Sequence, residues 1–355
     1  MNAAELWAEL SAGGLVKGAQ PEREPPGSPW FIRLMLGIAG WIGALFLLGF
    51  VGIALSSIMD DAASAMIAGA VCCAGAFALF RSFDGQDFAE QFALALSLAG
   101  QGLLVVGLGQ LFKADGAGLY FAIAATEAML AFAIPNFVHR LLAAGGTAVA
   151  LALAVNQLAL HGLAAPLLCA ALAAIWLDPA RWATGARLWR PIGYGLVLAL
   201  LLTETFRLFG AQDLFGRAKE AGWMAVHGPL VGRGLTGAVL VWAAATLSIR
   251  EGFPPASRTF LLTVGAAVLI GILCLLAPGL GSALLILLLG FAAGNRLLMV
   301  FGIFSLLGFA AHFYYSLHAT LLTKSGILAV TGLCLLAVSL FLHRSAASLE
   351  EPRHA

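Results

Sequence analysis

Three charged residues lie inside long apolar stretches, and their types and spacing make them the first candidates for chemistry. Glu127 lies near the middle of the stretch from 117 to 134, with no basic residue within one helical turn of it. A charged side chain at the centre of a membrane helix costs about 2.5 to 3.5 kcal/mol, so it requires a partner or a function. Glu127 is therefore either a carboxyl that takes up and releases a proton during transport or a hydrogen-bonded group that holds helices together.

Glu204 and Arg207 are the other two charges in these stretches. Their spacing of three residues places them on one face of a helix, so the sequence predicts an ion pair inside the membrane. Such a pair compensates both charges and needs no functional explanation.

Uncharged polar residues could extend a pathway from Glu127. Gln101 is at a similar depth in the preceding apolar stretch, and Asn156 and Gln157 lie in the outer part of the following one. We expect these amides either to line a polar pathway with Glu127 or to form hydrogen bonds between helices.

A group of histidines and tyrosines marks the outer end of a later stretch. His312, Tyr314, Tyr315 and His318 indicate either an interfacial aromatic belt or a surface that docks a partner. The seven histidines form no group with carboxylates or thiolates at metal-ligand spacing, so no metal site is predicted. Signatures of nucleophilic hydrolases, nucleotide-binding loops and metalloproteases are missing from the sequence, so we expect neither an enzyme nor a cofactor.

The amino-acid composition predicts what surrounds these candidate residues. Of 355 residues, 61% are apolar and only 10% are charged, and the mean hydropathy is +0.96. Soluble domains carry about 25% charged residues, so most of this chain must face lipid. A net charge of +1 argues against a nucleic-acid binder, and five cysteines within apolar stretches argue against a disulfide-stapled secreted domain.

The elements that position the candidates are transmembrane helices. A span needs about 20 apolar residues, and runs of this length without period-two alternation favour helices over a barrel. The sequence predicts an all-α polytopic bundle of about 12 helices, or 10 if the ninth and tenth form a re-entrant hairpin. The predicted spans are 34–58, 62–80, 90–111, 117–134, 141–160, 163–177, 191–209, 233–249, 259–277, 280–294, 297–316 and 325–343.

Basic residues in the connections predict the orientation. Thirteen of the 19 Lys and Arg residues fall on one side, five on the other, and Arg207 lies within a span. The richer side is cytoplasmic by the positive-inside rule, so both termini are expected there, in a bacterial inner membrane. We divide the chain into a cytosolic amphipathic helix and Pro-rich linker at 1–29, a transmembrane domain at 30–344 and a cytosolic tail at 345–355.

The two halves of the chain show a possible duplication. The fifth span opens with Arg140-Leu141-Leu142 and the eleventh with Arg296-Leu297-Leu298, and an Asn precedes each. Two sets of six spans could thus be parallel repeats. Chance similarity between Leu- and Ala-rich helices is the alternative.

Three stretches carry a recognisable set of motifs. They are Leu6-Trp7 through Ala12-Gly13-Gly14-Leu15-Val16 followed by a Pro-rich linker; Ser28-Pro29-Trp30 leading to Gly40-Trp41 and Leu47-Leu48-Gly49-Phe50; and Leu288-Leu289-Gly290-Phe291 with Gly294-Asn295-Arg296, Phe313-Tyr314-Tyr315-Ser316-Leu317 and Thr320 to Ser325. Together they resemble a family of bacterial inner-membrane proteins catalogued as domain of unknown function 4401. The resemblance would cover nearly the whole chain, and it implies association with a second, membrane-anchored protein that has a Gly-Asp-Tyr signature and an extracytoplasmic domain. It implies no catalytic or binding residue.

Two functions from different classes fit these observations. The first is a carrier or permease for an unknown ion or small molecule, with a midplane polar pathway around Glu127. The second is a non-catalytic membrane subunit that holds a partner through the outer connection 210–232 and the patch from His312 to His318.

Overall fold

The computed structural model describes residues 3–14, 16, 61–83, 87–113, 116–209 and 222–316, together with twelve positions between 31 and 50. These residues form helices and connections and no strand. The twelve positions between 31 and 50 are helical. The helices with complete bounds are α1 (Ala3–Ala12), α2 (Ala62–Ser82), α3 (Asp87–Leu111), α4 (Gly116–Ala133), α5 (Phe137–Gln157), α6 (Ala164–Trp176), α7 (Pro179–Leu208), α8 (Trp223–Arg250), α9 (Arg258–Cys274), α10 (Leu280–Ala292) and α11 (Arg296–Ser316).

The predicted spans correspond to these helices one by one. The second to eleventh spans lie on α2 to α11 in order, and seven of the described helices are long and apolar enough to cross a membrane. The three shorter apolar helices are α6, α9 and α10. Residues 51–58 of the first span and the whole twelfth span lie outside the described residues.

Two helices begin ten or more residues before their predicted spans. Helix α7 begins at Pro179, twelve residues before the predicted start at 191, because Asp178 caps it by accepting a hydrogen bond from the backbone N–H of Ala180 and Pro occupies the first turn. Helix α8 begins at Trp223, ten residues before the predicted start at 233. The predicted outer connection 210–232 is therefore partly helical.

Helix α7 bends near its start, and the bend creates a tertiary contact. Gly185 has non-helical backbone angles (φ −137°, ψ 25°). Pro191 follows six residues later and has no N–H, so the carbonyl of Arg187 lacks its usual helical donor. A guanidinium nitrogen of Arg140 on α5 lies 3.4 Å from that carbonyl oxygen and replaces the missing donor.

The chain packs as two compact units. The first comprises 1–57 and 72–99, and the second comprises 58–71 and 100–355. In the first unit, the indole N–H of Trp41 donates to Oε1 of Gln91 at 3.2 Å, and the Cys73 thiol donates to the carbonyl of Ser97 at 3.7 Å. The second unit contains all the site residues discussed below.

The core of the second unit lies where α5, α6, α7, α8 and α10 meet. Most of its buried members are small or aliphatic, so the helices approach closely. Leu172, Val197, Leu200, Leu285 and Ile286 have no exposed surface.

A glycine contact fixes the turn between α5 and α6 against α8. Gly162 has φ +85°, a conformation that favours glycine, and its backbone packs on Gly228 and Gly232. A Cβ atom on Gly232 would overlap the carbonyl oxygen of Gly162. Gly228 and Gly232 are four residues apart and so lie on one face of α8.

Helices α9 and α10, which are predicted to form either two spans or a re-entrant hairpin, are both short. Helix α9 has 17 residues and α10 has 13, which correspond to about 25 Å and 20 Å at 1.5 Å per residue, less than the roughly 30 Å of hydrocarbon. Residues 275–279 join them, and Gly279 begins α10 with φ +84°. The hairpin stays a prediction.

The predicted duplication also stays a prediction. Helices α5 and α11 both have 21 residues, and the side chains of Asn136 and Asn295 cap them by accepting from the N–H three residues later. However, Arg140 lies four residues after its cap and Arg296 only one, so the two arginines occupy different positions on their helices.

Candidate functional site

Glu127 lies in a buried contact between α4 and α5. Its residue is 6% exposed, and its carboxylate lies against Gly146, where a Cβ atom would stand 3.3 Å from Oε2. Within the part of the chain that the structure describes, Oε2 has no hydrogen-bond partner. The lack of a side chain at Gly146 is what makes room for this carboxyl.

Gln101 is hydrogen-bonded to a histidine that sequence reasoning did not connect with it. The side-chain amide nitrogen of Gln101 lies 2.9 Å from Nε2 of His139, and both residues are buried. Because an amide N–H donates, Nε2 of His139 accepts. His139 and Gly146 lie seven residues apart on nearly the same face of α5, so this pair and Glu127 are separated by about 10 Å along the helix.

Asn156 belongs to a different surface of α5. It lies ten residues beyond Gly146, about 15 Å along the helix and about 80° around it. There it lines a cavity of about 140 Å³ together with His161, Thr203 and Arg207. Gln157 follows Asn156 and is the last residue of α5. It is half-buried and is not among the residues that line this cavity. We call this space, near the predicted outer ends of α5 and α7, the outer cavity.

The polar groups of the outer cavity offer both donors and acceptors. Nδ1 of His161 lies 3.1 Å from the carbonyl of Ala159 and must donate to it, so Nε2 is left as an acceptor. The Thr203 hydroxyl donates to the carbonyl of Ala199, so its oxygen can accept. Nε of Arg207 is buried and has no partner among the described residues, so it can donate.

A buried network holds Arg207 in place. Oε2 of Glu204 accepts a hydrogen bond from Nη2 of Arg207 at 2.6 Å, and Oε1 accepts from the Ser282 hydroxyl at 2.7 Å. The Cys169 thiol donates to the Ser282 oxygen at 3.7 Å. Glu204, Ser282 and Cys169 are at most 2% exposed, so the network links α6, α7 and α10 inside the core.

A second, larger cavity lies at the opposite ends of α7 and α8. It measures about 900 Å³ and is lined by three arginines, Arg190, Arg250 and Arg296, and by Tyr194 and Asn295 among others. These are the ends predicted to be cytoplasmic, and we call this space the inner cavity. The sequence placed the three arginines on one side of the membrane but gave no sign that they meet.

The predicted partner-docking residues lie around the end of α11. The His312 ring packs edge-on against Phe209 with centroids 5.3 Å apart, and the rings of Tyr314 and Tyr315 are 5.4 Å apart. Tyr315 is 80% exposed. His318 lies outside the described residues.

Residues that sequence reasoning missed are partners from distant helices. Ser282 is 78 residues from Glu204, and Asn295 is 101 residues from Tyr194. The only available signal for each was a polar side chain in a strongly apolar stretch. No group of three His, Cys, Asp or Glu side chains that could hold a metal ion occurs in the described ranges.

These features define the class: a multi-pass membrane protein of apolar α-helices with buried polar clusters. The chain matches the family described as Domain of unknown function (DUF4401) over residues 29–345, and it belongs to that family. It has no match among the curated proteins and none among the solved structures.

Proposed function

We propose that the protein is a carrier that exposes a polar pathway alternately to the two sides of the bacterial inner membrane. The outer and inner cavities at opposite ends of α7 and α8 are the observation that supports this most strongly. A carrier needs such a pair, because its substrate must reach a polar site from each side without a continuous channel.

A dry layer separates the two cavities. On α7, Tyr194 belongs to the inner cavity and Leu202 to the outer one, a distance of about 12 Å along the helix. Between them Val197, Ala199 and Leu200 have no exposed surface. Transport would therefore require α7 to move against its neighbours.

Glu127 fits this proposal as the group that couples movement to a proton. It contacts α5, the helix whose outer end contributes Asn156 to the outer cavity. A carboxyl that is buried in one state and reached by water in another binds a proton differently in the two states, and this difference can drive exchange between them.

Two-sided accessibility of the pathway tests the carrier function without a known substrate. Asn156→Cys is introduced, and right-side-out and inside-out membrane vesicles are treated with a charged methanethiosulfonate that cannot cross the bilayer. We expect Cys at 156 to be modified from both sides, more slowly from the inside. The parent chain gives the background from its own cysteines.

Leu151→Cys is the matched control, because Leu151 is on the same helix and 40% exposed on an apolar surface. A charged reagent should not reach it from either side. Modification of position 156 from one side only would show that the outer cavity is a closed surface feature and would contradict the carrier function.

The second candidate is a subunit that holds a membrane-anchored partner with an extracytoplasmic domain. Exposed aromatic residues near the predicted outer ends of α8 and α11 favour it. Trp223 is 62% exposed and stacks on His227 at 4.7 Å, and Tyr315 is exposed as well. In mild detergent, Trp223→Ala with Tyr315→Ala should release a co-purifying protein of that description. A parent protein that purifies alone would contradict this candidate.

A further inference from the structure

The inner cavity has a lining of unusual charge. Three exposed arginines, Arg190 on α7, Arg250 on α8 and Arg296 on α11, line the same space of about 900 Å³. No Asp or Glu belongs to its described lining. The positive-inside rule explains why arginines occupy this side of the membrane, but it does not explain why arginines from three helices line one cavity.

Among the described residues, the three arginines form no ion pair with a carboxylate. Asp178, the acidic residue just before α7, is paired with Arg181 at 2.9 Å. The described lining residues of the cavity therefore carry a net positive charge.

Neutral donors strengthen the preference for an anion. The side-chain nitrogen of Asn295 donates to the Tyr194 hydroxyl at 2.7 Å, so the hydroxyl can direct its own hydrogen elsewhere. Tyr194 is only 3% exposed. Asn295 also caps α11 by accepting from the N–H of Leu298, and the first residues of that 21-residue helix border the cavity. The positive end of the α11 dipole thus lies at the same place.

The remaining wall is aromatic and aliphatic. Trp176 and Trp182 have ring centroids 4.6 Å apart, and Trp176 meets Tyr194 edge-on at 5.7 Å. Leu247 and Leu289 line the space next to them. A ligand that fits must carry an anionic group and can also carry an apolar part.

We propose that the inner cavity binds an anionic phosphate group, presented by the headgroup of a membrane phospholipid or by a soluble phosphate ester. Several guanidinium forks match the oxygens of a phosphate better than the two of a carboxylate. Basic pockets between transmembrane helices on the cytoplasmic side suit anionic headgroups. The proposal that this cavity binds phosphate does not depend on the proposed carrier function. Only the further idea that the bound ligand is transported rests on that function.

Lipid and phosphate binding are measured on the purified full chain. In one arm, native mass spectrometry compares retention of phosphatidylglycerol with that of phosphatidylcholine. In the other arm, inorganic phosphate is titrated while tryptophan fluorescence is followed, since Trp176 and Trp182 border the site. Preferential retention of phosphatidylglycerol identifies a headgroup as the source. A saturable fluorescence change with inorganic phosphate, without that preference, identifies a soluble phosphate as the source.

Paired variants separate a site from general surface charge. All four arginines of these pairs are exposed, and they differ in whether they line the cavity. Arg250→Gln with Arg296→Gln removes two charges from the lining, whereas Arg187→Gln with Arg258→Gln removes two charges outside it. We expect the first pair to lower the affinity by at least about tenfold and the second by less than about twofold. Should the first pair not purify as a folded species, Arg296→Gln alone is used.

Equal losses in both pairs, or no preference for phosphatidylglycerol and no response to phosphate, would overturn the proposal. Because these are binding measurements, that failure would leave the two-sided labelling of position 156 unaffected. Conversely, one-sided labelling there would leave the phosphate site standing.

Discussion

Glu127 is the residue whose chemistry the carrier function depends on most directly. Glu127→Gln keeps the size of the side chain against Gly146 but removes the titratable proton. We expect stability within about 1 kcal/mol of the parent, since a neutral amide replaces a buried carboxyl of the same shape. We expect labelling of Cys at 156 from the inside to be lost, because the proton-dependent step is removed.

Stability is measured for Glu127→Gln by thermal unfolding in detergent. Labelling is measured in vesicles on the double variant Glu127→Gln with Asn156→Cys. Unchanged two-sided labelling with unchanged stability would show that Glu127 only packs between α4 and α5.

Ser282 is the partner that keeps the Glu204–Arg207 pair tolerable inside the core. Ser282→Ala removes the hydroxyl that donates to Oε1 of Glu204 and leaves a buried carboxylate oxygen unpaired. We expect a loss of about 2 to 3 kcal/mol in the free energy of unfolding. Thermal unfolding in detergent measures it.

Ser305→Ala is the matched control, because among the described residues the Ser305 hydroxyl bonds only to the carbonyl of Gly302 in its own helix. A change below about 0.5 kcal/mol is expected there. Similar losses in the free energy of unfolding at both positions would mean that the hydrogen bond from Ser282 to Glu204 contributes no more than an ordinary serine hydrogen bond within a helix.

At the scale of helices, the contact between α8 and the turn around Gly162 is the most demanding one. Gly232→Ala places a Cβ atom on the carbonyl oxygen of Gly162, a backbone atom that cannot rotate away. We expect a loss above about 2 kcal/mol, because overpacking forces the backbones apart. The unfolding temperature in detergent and the yield of monodisperse protein report it.

Gly265→Ala on α9 provides the comparison, since a Cβ atom there meets nothing within 4 Å. Alanine in a helix is better than glycine by roughly 0.5 to 1 kcal/mol, so this variant should be as stable as the parent or more stable. If alanine at position 232 left the stability unchanged, α8 would not require its close approach to the turn around Gly162.

The sequence predicts the existence and order of the helices well and their ends less well. Hydropathy identifies α2 to α11, because lipid requires each crossing to be apolar. It cannot find the charged first turns of α7, which are helical because of a cap and a proline rather than because of lipid. Local spacing likewise predicts Glu204 with Arg207, whereas Ser282 and the three arginines of the inner cavity meet only through tertiary packing.

At the scale of the whole chain, the sidedness of the membrane decides what each cavity can bind. The inner cavity can meet cytoplasmic phosphates and the anionic inner leaflet only if Arg250 and Arg296 face the cytoplasm. The imbalance of thirteen basic residues to five predicts this orientation.

Helix α8 offers a direct test of that orientation, because its 28 residues span about 42 Å, which is long enough to cross the hydrocarbon core. Chains truncated after Gly222 and after Gly252 are fused to alkaline phosphatase, which is active outside, and to a fluorescent protein that folds inside. We expect phosphatase activity at 222 and fluorescence at 252. The reverse pattern would place three arginines at the outer face, remove the cytoplasmic leaflet as a source of headgroups, and contradict the positive-inside assignment on which both cavity names depend.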